Sequence, residues 1–269
     1  MMKGLAVGLT PGLTVGIVAN AGRDSGLAYA NAIAAELRAR GCTAVINEED
    51  AYSCRFLIVL GGDGTMLRAS HFAAEYNTPM LGINLGTLGY LTDVDHHEGF
   101  SAIEKMLAGD FLRERRMMLE TRGKLALNDV IIRRESSSKL MTFDIHVNGK
   151  LMDSLRADGV IVSTPTGSTA YNLSAGGPIL RPDSEMTVIT AICPHTLYTR
   201  PWVISGNDTV SLNTAGIRED KALVSLDGDD TFHLECGEPI TVRRSQHVAT
   251  VIRTSGLDFF EVLRKKMAK

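Results

Sequence analysis

Cysteine is scarce. Four in 269 residues, at 42, 54, 193 and 236, form no C-x-x-C pair, so reduced and mostly buried thiols are expected rather than a disulfide framework. Among seven histidines only His96 and His97 adjoin, and no spacing resembles a zinc site. No excess of charge of one sign exists either. A formal net charge of −3 offers no general field for nucleic acid or an acidic membrane. No uninterrupted apolar run is long enough to span a bilayer. The apolar part of the opening, Met1 to Pro11, is too short for a signal peptide and lacks a cleavage site. A cytoplasmic globular chain without structural metal is expected. Hydrophobic content of 44% with 22% charged residues is ordinary for that class.

What the chain does have is Phe56-Leu57-Ile58-Val59-Leu60-Gly61-Gly62-Asp63-Gly64-Thr65. An apolar run of strand length stops at three glycines that bracket one carboxylate, and a helix-compatible segment, Met66 to Tyr76, follows. Strand, glycine turn and helix is the geometry that aims backbone N–H groups at an anion. Glycine at Gly61, Gly62 and Gly64 serves either a positive φ or the close approach of a phosphate. No Gly-Lys-Ser/Thr follows, so this is no Walker A loop, and the spacing is not G-x-G-x-x-G. Asp63 would repel a phosphate unless a metal bridges them or the carboxylate accepts a proton from the attacking group. That suits phosphoryl transfer. The same residues also fit a plain strand-to-helix turn with an Asp cap.

Upstream, Thr14 to Ala19 reads as a strand and Leu27 to Arg40 as an alanine-rich helix closed by Gly41. Thr43 to Ile46 is the next strand. Strands alternating with helices imply right-handed parallel crossovers, hence an open α/β layer whose ligands bind at the carboxyl ends of strands. A second strand-to-glycine transition spans Met80 to Tyr90, where Tyr90 either stacks on a base or is a half-buried core ring. Phe100 to Leu107 reads as a short helix ending at Gly109. Beyond it the pattern becomes β: Glu114 to Arg122, Ala126 to Arg134, Met141 to Val147, Leu155 to Ser163, Glu185 to Ile192, Thr209 to Asn213, Ala222 to Leu226 and Ile240 to Arg243. Asn148-Gly149 is the strongest hairpin signal. An antiparallel β domain with at most one short helix is predicted. Leu257 to Lys269 reads as an amphipathic terminal helix whose Leu257, Phe260, Leu263 and Met267 need a surface, the α/β layer being the expected one.

Asp158 to Pro178 is the richest run. A strand ends where Ser163, Thr164, Thr166, Ser168, Thr169 and Ser174 crowd among small residues, which suits close hydrogen bonding to a polar ligand, although such residues also make plain turns. Asn128-Asp129 heads an apolar strand, and such a pair suits the vicinal hydroxyls of a ribose as well as a simple turn. Leu226 to Asp230 lacks the EF-hand spacing and closing Glu; a hairpin turn with Asp227 near the ligand is the alternative.

In this order, GGDGT, NLGTLGYLTD, LNDV, DGVIVSTPTGSTAYNLSAGGPI, ICPHTL and FFEVLRKKM resemble the NAD kinase family, from about Gly16 to Arg264. GGDGT alone is shared with diacylglycerol-type lipid kinases and, loosely, with phosphofructokinases; the Ser/Thr/Gly run with Ala-Tyr separates this family from them. The resemblance implies transfer of the terminal phosphate of ATP, with Mg²⁺, to the 2′-hydroxyl of the adenosine ribose of NAD, polyphosphate being a possible substitute donor. It implies Asp63 as proton acceptor, the turn Gly61, Gly62, Gly64 and Thr65 at the phosphates, and Gly64 and Arg68 beside the dinucleotide. Asn128 and Asp129 match the ribose pair, and Tyr90, often Phe in relatives, matches an aromatic against adenine. Arg156 and Asp158 match the nicotinamide end, partly across a subunit contact. Thr166, Thr169, Ala170, Tyr171, Asn172, Leu173 and Ser174 match the enclosing loop, and Lys139 a further contact.

Gly228 stands where relatives carry a bonding side chain and is assigned no contact. Arg23 and Arg68 are the candidates for phosphate contacts. No fixed protein site for the metal is expected. The resemblance further implies an α/β domain over 1–98 and 250–269, a β-rich NAD-binding domain over 99–249, and a homodimer or homotetramer. A lipid or sugar kinase sharing the turn, and a non-catalytic NAD sensor, are the competing readings.

Overall fold

The structure, a computed structural model, describes residues 2–3, 12–20, 22, 24, 27–47, 49–86, 89–135, 140–196, 198–215, 221–235 and 237–268. Lys139, Arg23 and Cys236, named above, lie outside them. The chain forms two compact units, Met1–Arg116 with His247–Lys269, and Met117–Gln246.

The first unit is built on a parallel sheet. Thr14–Ala19 lies between Thr43–Ile46 and Phe56–Gly61, and Phe56–Gly61 pairs in turn with Met80–Asn84. The late strand Ile240–Arg253 joins this sheet through Val251, opposite Met80. Both central strands are buried along their whole length, as a sheet covered on both faces requires. Helix Ala28–Ala39 turns Ala30, Ile33, Ala34 and Leu37 inward, the i, i+3, i+4, i+7 stripe the sequence predicts. Helix Gly99–Ala108 buries Ile103, Met106 and Leu107 in the core that holds Leu81 and Ile83. For that reason the division falls at Arg116, beyond the expected 98. Among the described residues no helix is long and apolar enough to cross a membrane.

The second unit carries two antiparallel sheets around one core, to which Phe143 and Ile145 contribute from one sheet and Val130, Ile132 and Val160 from the other. One sheet runs Trp202–Ser205, Met186–Ile192, Gly159–Ser163, Asp129–Arg134, Ala222–Leu226, Asp230–Leu234. In the other, Met141–Val147 pairs with Lys150–Ala157 on one side and Val210–Ala215 on the other. The Asn148-Gly149 turn has both residues at positive φ, 50° and 77°, as a two-residue hairpin demands. Leu155 to Ser163, expected as one strand, is divided at Asp158, where the chain passes from one sheet to the other. The only helical turns here, among the described residues, are Gly167–Thr169 and Tyr171–Ser174.

Among the described residues the expected burial of thiols holds for Cys42 only; Cys54 is partly exposed and Cys193 exposed, at φ 45° just after its strand. The terminal helix Phe259–Met267 belongs to the first unit yet buries none of its residues, leaving Phe260 and Met267 more than half exposed. Its local order comes instead from a capping box. Asp258 accepts from Glu261 N–H at 2.8 Å, while Glu261 accepts from Asp258 N–H at 2.9 Å. Replacing Asp258 by Ala should cost about 1 kcal/mol, read as faster amide exchange across 259–267 with little change elsewhere; unchanged exchange there would show that the cap contributes nothing.

Candidate active site

Gly61 and Asn84 are register partners at the carboxyl ends of adjacent parallel strands. Both glycine-rich segments therefore leave the sheet from the edge where α/β folds bind ligands. Helix Asp63–Glu75 starts at once, behind an extended Gly62 with φ −111°. The N–H groups of Thr65 and Met66 both donate to the Gly62 carbonyl, at 3.0 and 3.1 Å, and those of Asp63 and Gly64 head the helix as its orphan donors.

The glycines here serve space, not unusual backbone angles. None of Gly61, Gly62 and Gly64 has a positive φ, which overturns one of the two reasons offered from sequence. A Cβ on Gly61 would lie 2.3 Å from Thr65 Oγ1, whereas one on Gly64 would meet nothing within 4 Å. Gly61 lets the buried Thr65 close the turn, and Gly64 keeps the backbone bare.

Asp63 is gripped by the second glycine segment. Tyr90 N–H donates to its Oδ2 at 2.8 Å and Leu91 N–H to its Oδ1 at 2.9 Å. The fit is close: a Cβ on Gly89 would fall 1.9 Å from Oδ1. Each carboxylate oxygen retains a lone pair for a further donor. The ring of Tyr90 is half-buried with Lys266 Nζ 5.6 Å from its centroid, within cation–π range. Burial, and then the charge of Asp63, push its phenol up. Arg68 is exposed on the same helix as Asp63. Asn84, not singled out from sequence, is fully buried; its Oδ1 accepts from Gly86 N–H at 3.3 Å and its Nδ2 has no partner. No role is assigned to it.

In the second unit three distant segments meet at one end of a sheet. Ser163 ends its strand opposite Asp129, and Leu226 ends its own opposite Val130. The Asn128-Asp129 pair, the loop after Ser163 and the turn at Asp227 therefore emerge side by side. Asp227 fixes the arrangement. Its carboxylate accepts from the N–H groups of Leu127, Asn128 and Asp129 at 2.7, 2.7 and 3.0 Å, and its own N–H donates to Asp129 O at 3.0 Å. Of the two readings left open for Leu226 to Asp230, the hairpin turn is the one observed, joining Ala222–Leu226 to Asp230–Leu234. Among the described residues no group of three His, Cys, Asp or Glu is arranged to hold a metal ion.

Asp129 is 3% exposed. Burial, followed by the nearby charge of Asp227, pushes its carboxyl up to about 7. Gly167 packs directly on the pair, since a Cβ there would lie 2.1 Å from Asn128 O. Thr164 N–H donates to that same carbonyl at 2.8 Å, and Thr164 Oγ1 to Leu127 O at 2.6 Å.

Within the loop the hydroxyls and the amide are not all available to a ligand. Asn172 is fully buried; its Nδ2 donates to Ser168 O and Pro178 O, and its Oδ1 accepts from Thr190 at 2.7 Å. Ser168 is likewise spent inside, on Pro165 O and Leu180 N–H. Thr166 is buried, whereas Tyr171 and Ser174 are exposed and Thr169, Ala170 and Leu173 lie between. Asp158 accepts from Arg134 Nε at 2.8 Å, a partner not foreseen from sequence, and Arg156 is exposed on its strand.

The profile for the ATP-NAD kinase N-terminal domain matches residues 43–111, and that for the ATP-NAD kinase C-terminal domain matches 127–254. An NAD kinase of Caldanaerobacter subterraneus subsp. tengcongensis is 37% identical, over 95% of this chain and 99% of its own. One from Moorella thermoacetica is 40% identical, over 82% and 74%. In fold, the chain resembles an NAD kinase from Archaeoglobus fulgidus solved in complex with ATP, at a TM-score of 0.83, 24% identity and coverage of 96% and 100%. It likewise resembles yeast NADH kinase complexed with NADH, at 0.80, 23%, 96% and 88%. With both profiles matched and relatives of this identity along nearly its whole length, the chain belongs to the ATP-NAD kinase family.

Proposed function

We propose that the chain phosphorylates NAD, moving the terminal phosphoryl group of ATP onto the 2′-hydroxyl of the adenosine ribose to give NADP. The observation that carries this is the carboxylate of Asp63, held by two amides yet open to one more donor, at the bare start of a helix. In the proposed step the ribose oxygen attacks the terminal phosphorus in line, the bond to the ADP oxygen breaks, and the hydroxyl proton passes to Asp63. A ribose hydroxyl is a poor nucleophile at neutral pH, so an acceptor within hydrogen-bond reach assists it. Most of the acceleration comes from positioning and charge neutralisation.

The amides of Asp63 and Gly64, with Gly61, Gly62 and Thr65 shaping the turn, form the phosphate cradle in this reading. Asn128 and Asp129 hold the ribose hydroxyls, and Tyr90 stacks on adenine. Gly64, Arg68, Arg156, Asp158, Lys139 and the loop from Thr166 to Ser174 complete the dinucleotide contacts. Asn172 acts there by shaping the loop, because it is fully buried and both its N–H donors are already committed within the protein. A divalent ion such as Mg²⁺, accompanying the nucleotide with no residue of this chain assigned to hold it, would supply neutralisation of phosphate charge. A cytoplasmic homodimer or homotetramer completes the proposal. The edge strand Trp202–Ser205, with Trp202 and Val203 close to half exposed, is a surface that a second copy could extend.

The direct test is NADP formation from NAD and Mg²⁺ with ATP, and separately with polyphosphate, which identifies the donor. Asp63→Asn should lower turnover by roughly 10²- to 10⁴-fold, with NAD affinity by calorimetry within a few-fold of the parent. Near-normal turnover would remove Asp63 as the base.

Asp129 gives a pH signature. Its carboxyl, raised to about 7, is largely protonated in the free protein below that pH, and in this reading it accepts from the ribose hydroxyls much more strongly when ionised. Affinity for NAD is then expected to weaken as pH falls from 7.5 to 6, approaching about tenfold per unit, with proton release on binding. Asp129→Asn should abolish that slope. The same slope in the variant would assign it to another group.

A further inference from the structure

We infer that Arg253 is a positioning residue for the Asp63 carboxylate, acting through the peptide bond between Tyr90 and Leu91. This rests on the reading of Asp63 as the base. The Arg253 side chain, 10% exposed, lies beneath the segment that grips Asp63. Its Nη2 donates to Tyr90 O at 2.9 Å, and its Nη1 to Thr92 O at 2.8 Å and Leu91 O at 3.4 Å.

The peptide unit between Tyr90 and Leu91 thus takes a hydrogen bond from the guanidinium on its carbonyl. On its N–H it donates to Asp63 Oδ1 at 2.9 Å. Cation, peptide dipole and carboxylate are aligned, and each hydrogen bond polarises the next. A planar fork of donors can hold three successive carbonyls at once, whereas a lysine ammonium on its flexible stem cannot do so in the same geometry.

The fork is itself anchored. Nε donates to Glu114 Oε2 at 3.0 Å. Burial alone would raise the Glu114 carboxyl, but Arg253 and Arg116 together hold it below its ordinary value, so the counter-ion stays charged. The next residues of the same strand end close the clamp. Asp93, 2% exposed, accepts from Thr254 N–H at 2.7 Å and Thr254 Oγ1 at 2.6 Å, and from Ser255 N–H at 3.2 Å and Ser255 Oγ at 3.0 Å. The segment from Tyr90 to Asp93 is therefore fastened to residues 253–255 by hydrogen bonds that all run one way, donated by 253–255 to the carbonyls and carboxylate of 90–93. Opposite this clamp, the bare Cα of Gly89 leaves the carboxylate no slack.

A clamp of this kind governs where the base sits, and displacement of a reacting group by about 1 Å can cost on the order of 10²-fold in rate. The experiment is a double-mutant cycle on the full-length protein. Arg253→Met should lower kcat for NAD phosphorylation by roughly 10²-fold, with KM for NAD and ATP changed less than about threefold. Arg253→Lys, which keeps the cation and stem, should fall between. In an Asp63→Asn background the Arg253 change should cost less than about twofold more, because the group it positions is gone. An equal loss in both backgrounds, or an unchanged kcat in either folded Arg253 variant, overturns the inference. Normal turnover in Asp63→Asn alone instead overturns the reading of the base. If Arg253→Met does not fold, Arg253→Lys carries the same cycle.

Discussion

A carboxylate on a bare glycine turn keeps one orientation only if partners beyond its own rotamer preference hold it there. Here the hold is a pair of consecutive backbone amides, Tyr90 and Leu91, one on each oxygen of Asp63. Much of the first unit serves that pair. The parallel strands bring the GGDGT turn and the second glycine segment to the same sheet edge, and Gly89 permits contact. The strand ending at Arg253 returns late in the chain to grip the segment from behind. Hydrogen bonds to a charged group are the stronger kind, and side-chain rotamers alone would not fix the direction of the carboxylate's lone pairs.

The second unit uses the same device for a different end. Asp227 commits its carboxylate to the three amides of Leu127, Asn128 and Asp129, which stiffens the turn. Its charge also acts on Asp129, already buried, and raises that carboxyl toward neutrality. One acidic residue thus builds the local backbone while tuning another. This is a common economy where polar groups must be buried and every amide needs a partner.

Local signals were read well where the cause is local. Asn148-Gly149 forms the expected turn because both residues must take positive φ; the stripe Ala30, Ile33, Ala34, Leu37 faces inward because helical periodicity puts it there. Strands Trp202–Ser205 and Asp230–Leu234 carry no such local signal. The first is a short, exposed edge, the second a short partner whose pairing makes it a strand. The long run to Arg253 was read only as far as Arg243, since its later residues take their place from parallel pairing at Val251. The amphipathic pattern predicts the terminal helix but not that Phe260 and Met267 stay more than half exposed while Leu257 and Leu263 are only partly buried.

The order of residues by itself determined which segments are the candidates for the chemistry: the glycine-flanked Asp63, the Asn128-Asp129 pair and the hydroxyl-rich loop are all visible as strings, and so is the family to which the chain belongs. Only the tertiary structure decided the supporting partners. Asp227 lies about a hundred positions from the turn it builds, and Arg253 more than 160 from the carbonyls it holds. Such partners are set by which strands become neighbours and in what register. That choice is made by burial and pairing across the whole sheet, and it leaves no mark within a short window of sequence.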